Sequence, residues 1–283
     1  MWNTQLCLGT NDQFGISVEE QIRLFKKTGF DGFFTDWYRN APIKEWKALA
    51  DELGMIYQSI HAPFGNSAKM WESNADEAVD ELLACLNDCA KNTIPIMVVH
   101  PFIGFESHTP TEEGIKNFGV LVNAADKTNV KIAFENVEAE EYLAALMNAF
   151  GGCECVGFCW DTGHEMCYNH SVDMLGMYGH KLICTHIDDN LGIRDRCGKI
   201  TWLDDLHLLP FDGIADWNNV VKRLNYHNYT GPMTFELNKK SKPDRTENDV
   251  YDRMPLEEYL TEAYKRACRV TALKLQKNGW GLN

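Results

Sequence analysis

The sequence predicts an α/β fold closed into one (β/α)8 barrel, a single domain taken as residues 1–283. Three observations carry that expectation. Eight short apolar, β-branched or aromatic runs recur along the chain, and each is followed by an amphipathic stretch, directly or after a loop. Strands alternating with helices argue a parallel sheet. The length of 283 residues also suits one such barrel, which typically takes about 250 residues. The runner-up is an open doubly wound sheet. That fold usually carries a Gly-rich phosphate loop after its first strand, and GTNDQFG at 9–15 is not G-x-G-x-x-G.

The strand runs are 6–10 (LCLGT), 32–37, 55–64, 94–102, 130–137, 156–164, 182–189 and 231–238. The first helical stretch, 17–29, opens with Ser17 and has Glu20 three residues on, a capping box. It ends at Gly29, and the next, 42–54, ends at Gly54; both glycines suit a left-handed C-cap. Further helical stretches cover 74–92, 109–129, 138–151, 171–181, 214–229 and 255–277. Pro110 and Pro255 stand near helix starts, where a missing N–H costs little. Two long connections, 190–214 and 238–254, follow the seventh and eighth strands. Both fall on the C-terminal face, where barrel active sites are built.

Lys and Arg total 27 against 41 Asp and Glu, a formal net charge of −14. That balance argues against a polyanion-binding surface working by charge attraction. No run approaches the roughly 20 apolar residues of a membrane span. The start, MWNTQLCLGT, shows no basic segment followed by an apolar one. A cytoplasmic protein with no membrane partner is expected. The ten cysteines mostly sit in apolar runs (Cys7, Cys89, Cys159, Cys184), and the group Cys153, Cys155, Cys159, Cys167 contains no C-x-x-C pair. Unpaired structural thiols are expected.

The informative feature is what ends each apolar run. Strand three ends in His61, four in His100, five in Glu135, six in Asp161, seven in His186 and eight in Glu236. Singly, each has a plain structural explanation: a hydrogen-bonded histidine, or Asp161 capping the next helix. Six in successive strands of a barrel share one mouth. Buried charges must be paired or must coordinate something. Three converging carboxylates repel one another, and a divalent cation removes that repulsion. Two Glu, one Asp and one His form an N/O set that suits Mn, Mg, Co or Zn. Nearby are His164 in WDTGH, the pair Asp205 and His207 in D-x-H spacing, and Arg194 and Arg196. An arginine on this rim suits a phosphate, a carboxylate or sugar oxygens. Trp37, Tyr38, Phe64, Phe102 and Trp160 are candidate apolar walls for a sugar face.

The motifs IAFEN, WDTGH, THIDDN, DLHLLP and the final FE, in this order and on these strands, resemble the xylose isomerase-like barrel superfamily. It contains sugar and sugar-phosphate isomerases and epimerases, inosose dehydratases and endonuclease IV-type AP endonucleases. The resemblance implies that Glu135, Asp161, His186 and Glu236 hold a metal, and that Glu135 and Glu236 act as acid and base on opposite faces of a substrate carbon. It implies that His164 contacts substrate, with Arg194 the candidate for the arginine that follows the strand-seven histidine. The endonuclease branch uses nine ligands for three zinc ions, and all have counterparts here: His61, His100, Glu135, Asp161, His164, His186, Asp205, His207 and Glu236. HIDDN followed by DLHLLPFDG is closer to the isomerase pattern, and loops 37–42 and 62–71 hold few cations for a phosphodiester backbone. The expected activity is a divalent-metal-dependent isomerisation or epimerisation beside a carbonyl. The expected partner is a small-molecule sugar or sugar phosphate, not nucleic acid, and homo-oligomerisation stays open. The alternatives are an AP endonuclease and an inosose dehydratase-like lyase.

Overall fold

The computed structural model describes residues 4–106, 109–194 and 199–279, with side chains as far as residue 274. Arg196 therefore lies outside the described residues. Eight strands form one parallel sheet: β1 (Leu6–Gly9), β2 (Gly32–Asp36), β3 (Ile56–His61), β4 (Ile96–Val99), β5 (Lys131–Glu135), β6 (Val156–Asp161), β7 (Leu182–His186) and β8 (Met233–Phe235). Their order is β7-β6-β5-β4-β3-β2-β1-β8. The ring closes just beyond β7. Ile187 bridges Phe235 in parallel register, Ile187 N–H donates to Thr234 O at 2.8 Å, and Glu236 N–H donates to Ile187 O at 3.3 Å. The sheet is thus a (β/α)8 barrel.

The helices around it are α1 (Val18–Thr28), α2 (Ile43–Leu53), α3 (Asp76–Lys91), α4 (Glu112–Ala125), α5 (Glu140–Phe150), α6 (Thr162–Cys167), α7 (Met174–Tyr178), α8 (Trp217–Tyr226), α9 (Asp249–Asp252) and α10 (Leu256–Gly279). The expected punctuation is present. Ser17 and Glu20 form a reciprocal capping box on α1, and Gly29 (φ 113°) and Gly54 (φ 61°) end α1 and α2 in the left-handed region. Among the described residues no helix is long and apolar enough to cross a membrane.

Large side chains such as Trp46, Phe118, Phe134 and Phe158 fill the layer between sheet and helices. The barrel interior is narrower and takes small residues: Val98, Ala133, Cys159 and Cys184 pack there as a separate cluster. Every cysteine among the described residues is free, as expected of thiols used as small hydrophobes.

Some element boundaries differ from the sequence reading. The run 156–164 is a strand only to Asp161, whose side chain accepts from His164 N–H and starts α6. A side-chain cap there competes successfully with further extension. His100 and Glu236 stand one residue past β4 and β8. The stretch 171–181 is the short α7 followed by a 3-10 turn at Gly179–Lys181.

The loop after β7 is organised by one buried carboxylate. Asp189 Oδ1 accepts from the N–H groups of Asn190 (2.9 Å) and Ala215 (3.0 Å), and Oδ2 accepts from Phe211 N–H (2.9 Å) and Trp217 Nε1–H (3.1 Å). Asp189→Ala should leave these donors unpaired and cost on the order of 3 kcal/mol. Urea unfolding of the two proteins measures the loss; a change below about 1 kcal/mol would show that the loop does not depend on this residue.

Candidate metal centre and active site

The parallel register sets the strand ends side by side: Asp36 opposite His61, Glu135 opposite Cys159 and Asp161 opposite His186. The side chains then converge on the barrel mouth in three adjoining groups. In the first, His61 Nε2 lies 3.1 Å from His100 Nε2 and 3.4 Å from Glu135 Oε2, and His100 Nε2 lies 3.2 Å from that same oxygen. In the second, His186 Nδ1 lies 2.8 Å from Glu135 Oε1 and 2.9 Å from Glu236 Oε2. Asp161 joins these three, with one ligand-type atom of each residue within 4.8 Å of the others. In the third, Asp205 stands between His164 Nε2 (3.6 Å) and His207 Nε2 (2.8 Å).

The residues fit a divalent cation on two grounds. The first is ring orientation. His61 Nδ1–H donates to Ala62 O at 2.9 Å and His164 Nδ1–H donates to Asn136 O at 3.0 Å. A carbonyl can only accept, so Nδ1 keeps its proton and Nε2 faces the mouth in both rings; in the neutral ring that Nε2 carries the lone pair, the arrangement that metal-ligating histidines use. The second is unmet demand. Glu135 Oε2, Asp161 Oδ2, Asp188 Oδ1 and Oδ2, and Asp205 Oδ1 are buried and accept no hydrogen bond of good geometry. Such atoms are costly unless something binds them. Asp161 divides its work: Oδ1 takes the His164 N–H at 2.6 Å and Oδ2 is left for the mouth.

The electrostatics follow from crowding. Burial pushes the Glu135 carboxyl up, but His186, His100 and His61 outweigh it and hold the group well below its usual range. Glu236 is likewise held down, at about 2, by His186 and His207 against the cost of burial. Asp161 is raised to about 7 by burial, with Glu135 and Glu236 adding to it against the pull of His164. Burial drives Asp188 well above its usual value, reinforced by Asp161 and Asp205. Burial draws His61 down, yet Glu135, Asp36 and Glu236 carry it up to about 9.

The candidate residues His61, His100, Glu135, Asp161, His164, His186, Asp205, His207 and Glu236 all meet at this mouth. Two do not. Trp37 is buried in the core, its indole N–H donating to Asp88 Oδ2 on α3 at 2.8 Å. Arg194 is exposed; its backbone N–H donates to Asp204 Oδ1 at 3.0 Å, and it is not among the residues lining the mouth. The strand-seven loop folds around Asp204 and Asp189, which carries Arg194 outward. Of the other proposed walls, Phe64 lines the mouth. Phe102 stacks on Tyr142, Tyr38 meets Trp46, and Trp160 lies under the Arg223 guanidinium outside the barrel.

Sequence reasoning passed over Asp36, Asp188, Trp202 and Lys242. Asp36 ends its strand as the six chosen residues end theirs, so the same rule reaches it. Asp188 is hidden in a DD pair whose second member is structural. Gly163 of WDTGH serves it: a Cβ there would come within 2.1 Å of Asp188 Oδ1. Trp202 and Lys242 sit in loops with no periodic signal.

The mouth is a cavity of about 550 Å3, continuous through shared lining residues with a polar lobe of about 410 Å3 between the loops after β1 and β8. A third cavity of about 540 Å3 lies outside the barrel near the Glu165–Arg223 ion pair; of the candidate residues only the proposed wall Trp160 lines it, and none of the nine that meet at the mouth does.

Over residues 22–268 the chain matches the xylose isomerase-like TIM barrel family, and it belongs to that family. It is 35% identical to the "uncharacterized protein y4fM" of Sinorhizobium fredii (strain NBRC 101917 / NGR234), across 88% of this chain and 92% of that protein. Among solved structures it resembles L-ribulose 3-epimerase (TM-score 0.70, 13% identity, 97% of each chain). It also resembles D-allulose 3-epimerase of Methylomonas sp. in complex with D-allulose (TM-score 0.68, 14% identity, 95% of this chain and 98% of that one). A fusion of a xylose isomerase-like TIM barrel with 4-hydroxyphenylpyruvate dioxygenase gives a TM-score of 0.73 at 13% identity, matching 99% of this chain, which spans 45% of the fusion. Identities this low establish a shared fold.

Cation binding at the second group requires Asp161 ionised and His186 neutral, whereas both are held toward their protonated forms. Protons must therefore leave. Mn2+ affinity should rise between pH 6 and 8, by about tenfold per pH unit for each proton displaced. Calorimetric titration in buffers of different ionisation enthalpy counts those protons. A pH-independent affinity would contradict the assignment.

Proposed function

We propose that this protein is a divalent-metal-dependent sugar or sugar-phosphate isomerase or epimerase that moves a proton at a carbon beside a carbonyl. The observation that carries the reading is the placement of Glu135 and Glu236, 2.8 and 2.9 Å from the same His186 nitrogen and on non-adjacent strands. In this reading the substrate carbon would lie between the two carboxylates. The D-allulose in the complex of a structural neighbour supports a small sugar as the kind of partner.

The bound metal would polarise the carbonyl and neighbouring hydroxyl oxygens, which acidifies the carbon between them. Glu135 and Glu236 are held ionised, so either can accept that proton. Glu135 is fully buried, whereas Glu236 is 27% exposed, so a proton on Glu236 has a route to water. Asp161 and His186 complete the set that fixes both carboxylates. His164, its ring oriented by Asn136 O, presents Nε2 to the mouth, where it can meet a substrate oxygen or a second cation.

Glu135→Gln and Glu236→Gln should each lower turnover by roughly 10²–10⁴. Reaction in D2O with a panel of free and phosphorylated ketoses should place deuterium at the carbon beside the carbonyl. Near-normal rates in both variants would dismiss the mechanism.

One observation favours a second reading, metal-assisted phosphodiester hydrolysis at abasic DNA. The nine ligand-type residues fall into three neighbouring groups rather than one. The net charge of −14 and the acidic lining oppose it. Elemental analysis separates the two. One metal per chain with ketose turnover is expected, and about three zinc per chain with cleavage at abasic sites would replace the first reading.

A further inference from the structure

Lys242 stands where the two lobes of the mouth meet. It lines both, and among the described residues it is the only lysine or arginine that lines either. Its surroundings are acidic: Asp36, Asp205 and Glu236 also face both lobes. Lys242 Nζ lies 3.6 Å from Asp205 Oδ2 and 5.3 Å from the centre of the Trp202 ring, and the side chain is 17% exposed. The two partners arrive on the two long loops, Trp202 on 190–214 and Lys242 on 238–254.

A lysine held in this way is not a solvated surface charge. A long side chain loses conformational freedom when it is tied down, and here a carboxylate and an aromatic face tie it. Asp205 is also the only carboxylate of the His164–Asp205–His207 group, and its Oδ1 has no hydrogen-bond partner. Of the carboxylates that line both lobes, Asp205 is the one within ion-pair distance of the Lys242 ammonium, at the long separation of 3.6 Å. An anionic group on the substrate can share this ammonium, and no other lysine or arginine among the described residues lines the mouth to hold it.

We infer that Lys242 is the specificity-determining residue of the mouth and that, with Trp202, it selects a sugar derivative carrying an anionic group over the neutral sugar. The anionic group is a phosphate ester or a carboxylate, and the inference rests on the sugar reading above. Trp202 supplies the flat face on which the ring lies while Lys242 holds the anion.

Calorimetric binding to the Mn2+-loaded protein tests this with D-fructose, D-fructose 6-phosphate, D-gluconate and inorganic phosphate. At least one anionic sugar should bind about tenfold more tightly than D-fructose. Lys242→Met should abolish that preference and leave D-fructose within about twofold, and Lys242→Arg should keep it. Circular dichroism confirms that the variants fold. A gain with D-fructose 6-phosphate alone identifies a phosphate ester, and a gain with D-gluconate alone a sugar acid. Equal affinities in the unaltered protein, or equal weakening of neutral and anionic ligands in Lys242→Met, would overturn the inference while the sugar reading stands. Lysine-dependent binding of inorganic phosphate with no sugar bound at all would support the anion site and remove the sugar reading.

Discussion

The structure turns on carboxylates buried against one another at the end of a parallel barrel. Glu135, Asp161, Asp188 and Asp205 are nearly or wholly removed from water within one mouth. Such a gathering repels itself, and burial adds a desolvation cost for each charge. Imidazoles offset part of that: His61, His100 and His186 surround Glu135, while His164 and His207 flank Asp205. The compensation is uneven. Glu135 and Asp205 are held ionised, whereas Asp161 and Asp188 are driven toward their neutral forms. A divalent cation would satisfy the orphaned oxygens and cancel the repulsion together.

The scaffold meets this demand with main-chain groups. Carbonyls of Ala62 and Asn136 set two histidine tautomers, and the first turn of α6 holds one oxygen of Asp161. Thr162 Oγ1 donates to Asp188 O and accepts from Asp188 N–H, tying β6 to the strand-seven exit. These restraints fix the strand-end residues on regular elements, whereas Asp205 and His207 reach the mouth on the loop after β7.

The sequence showed much of this and missed the rest for identifiable reasons. The eight strands were visible because buried parallel strands read as unbroken apolar runs. The polar residues ending those runs were visible for the same reason, as interruptions of an otherwise apolar pattern. Strand ends were set too late at His164 because a side-chain cap is a local competition that periodicity does not register. Trp37 was misplaced because adjacent residues of a strand point to opposite faces: Asp36 turns to the mouth and Trp37 to the helices. Arg194 and Lys242 both lie in irregular chain. Nothing in their spacing foretold that Asp204 and Asp189 would fold one loop outward while the other brought its lysine in.

The barrel closes at Ile187 and Phe235, one residue from His186 and one from Glu236. The seam and the cluster of buried carboxylates therefore share a level. Elsewhere the strands are joined by several ladder bonds, but here the joint is a short stitch of two main-chain hydrogen bonds at the rim. Thermal breathing of a closed sheet concentrates where it is least sewn. Any opening of this seam widens the gap between His186 and Glu236, while Glu135 and Asp161 stay on the continuous side. A cation clasped across it would act as the last staple of the barrel, making ring closure and the gathering of Glu135 and Glu236 a single event.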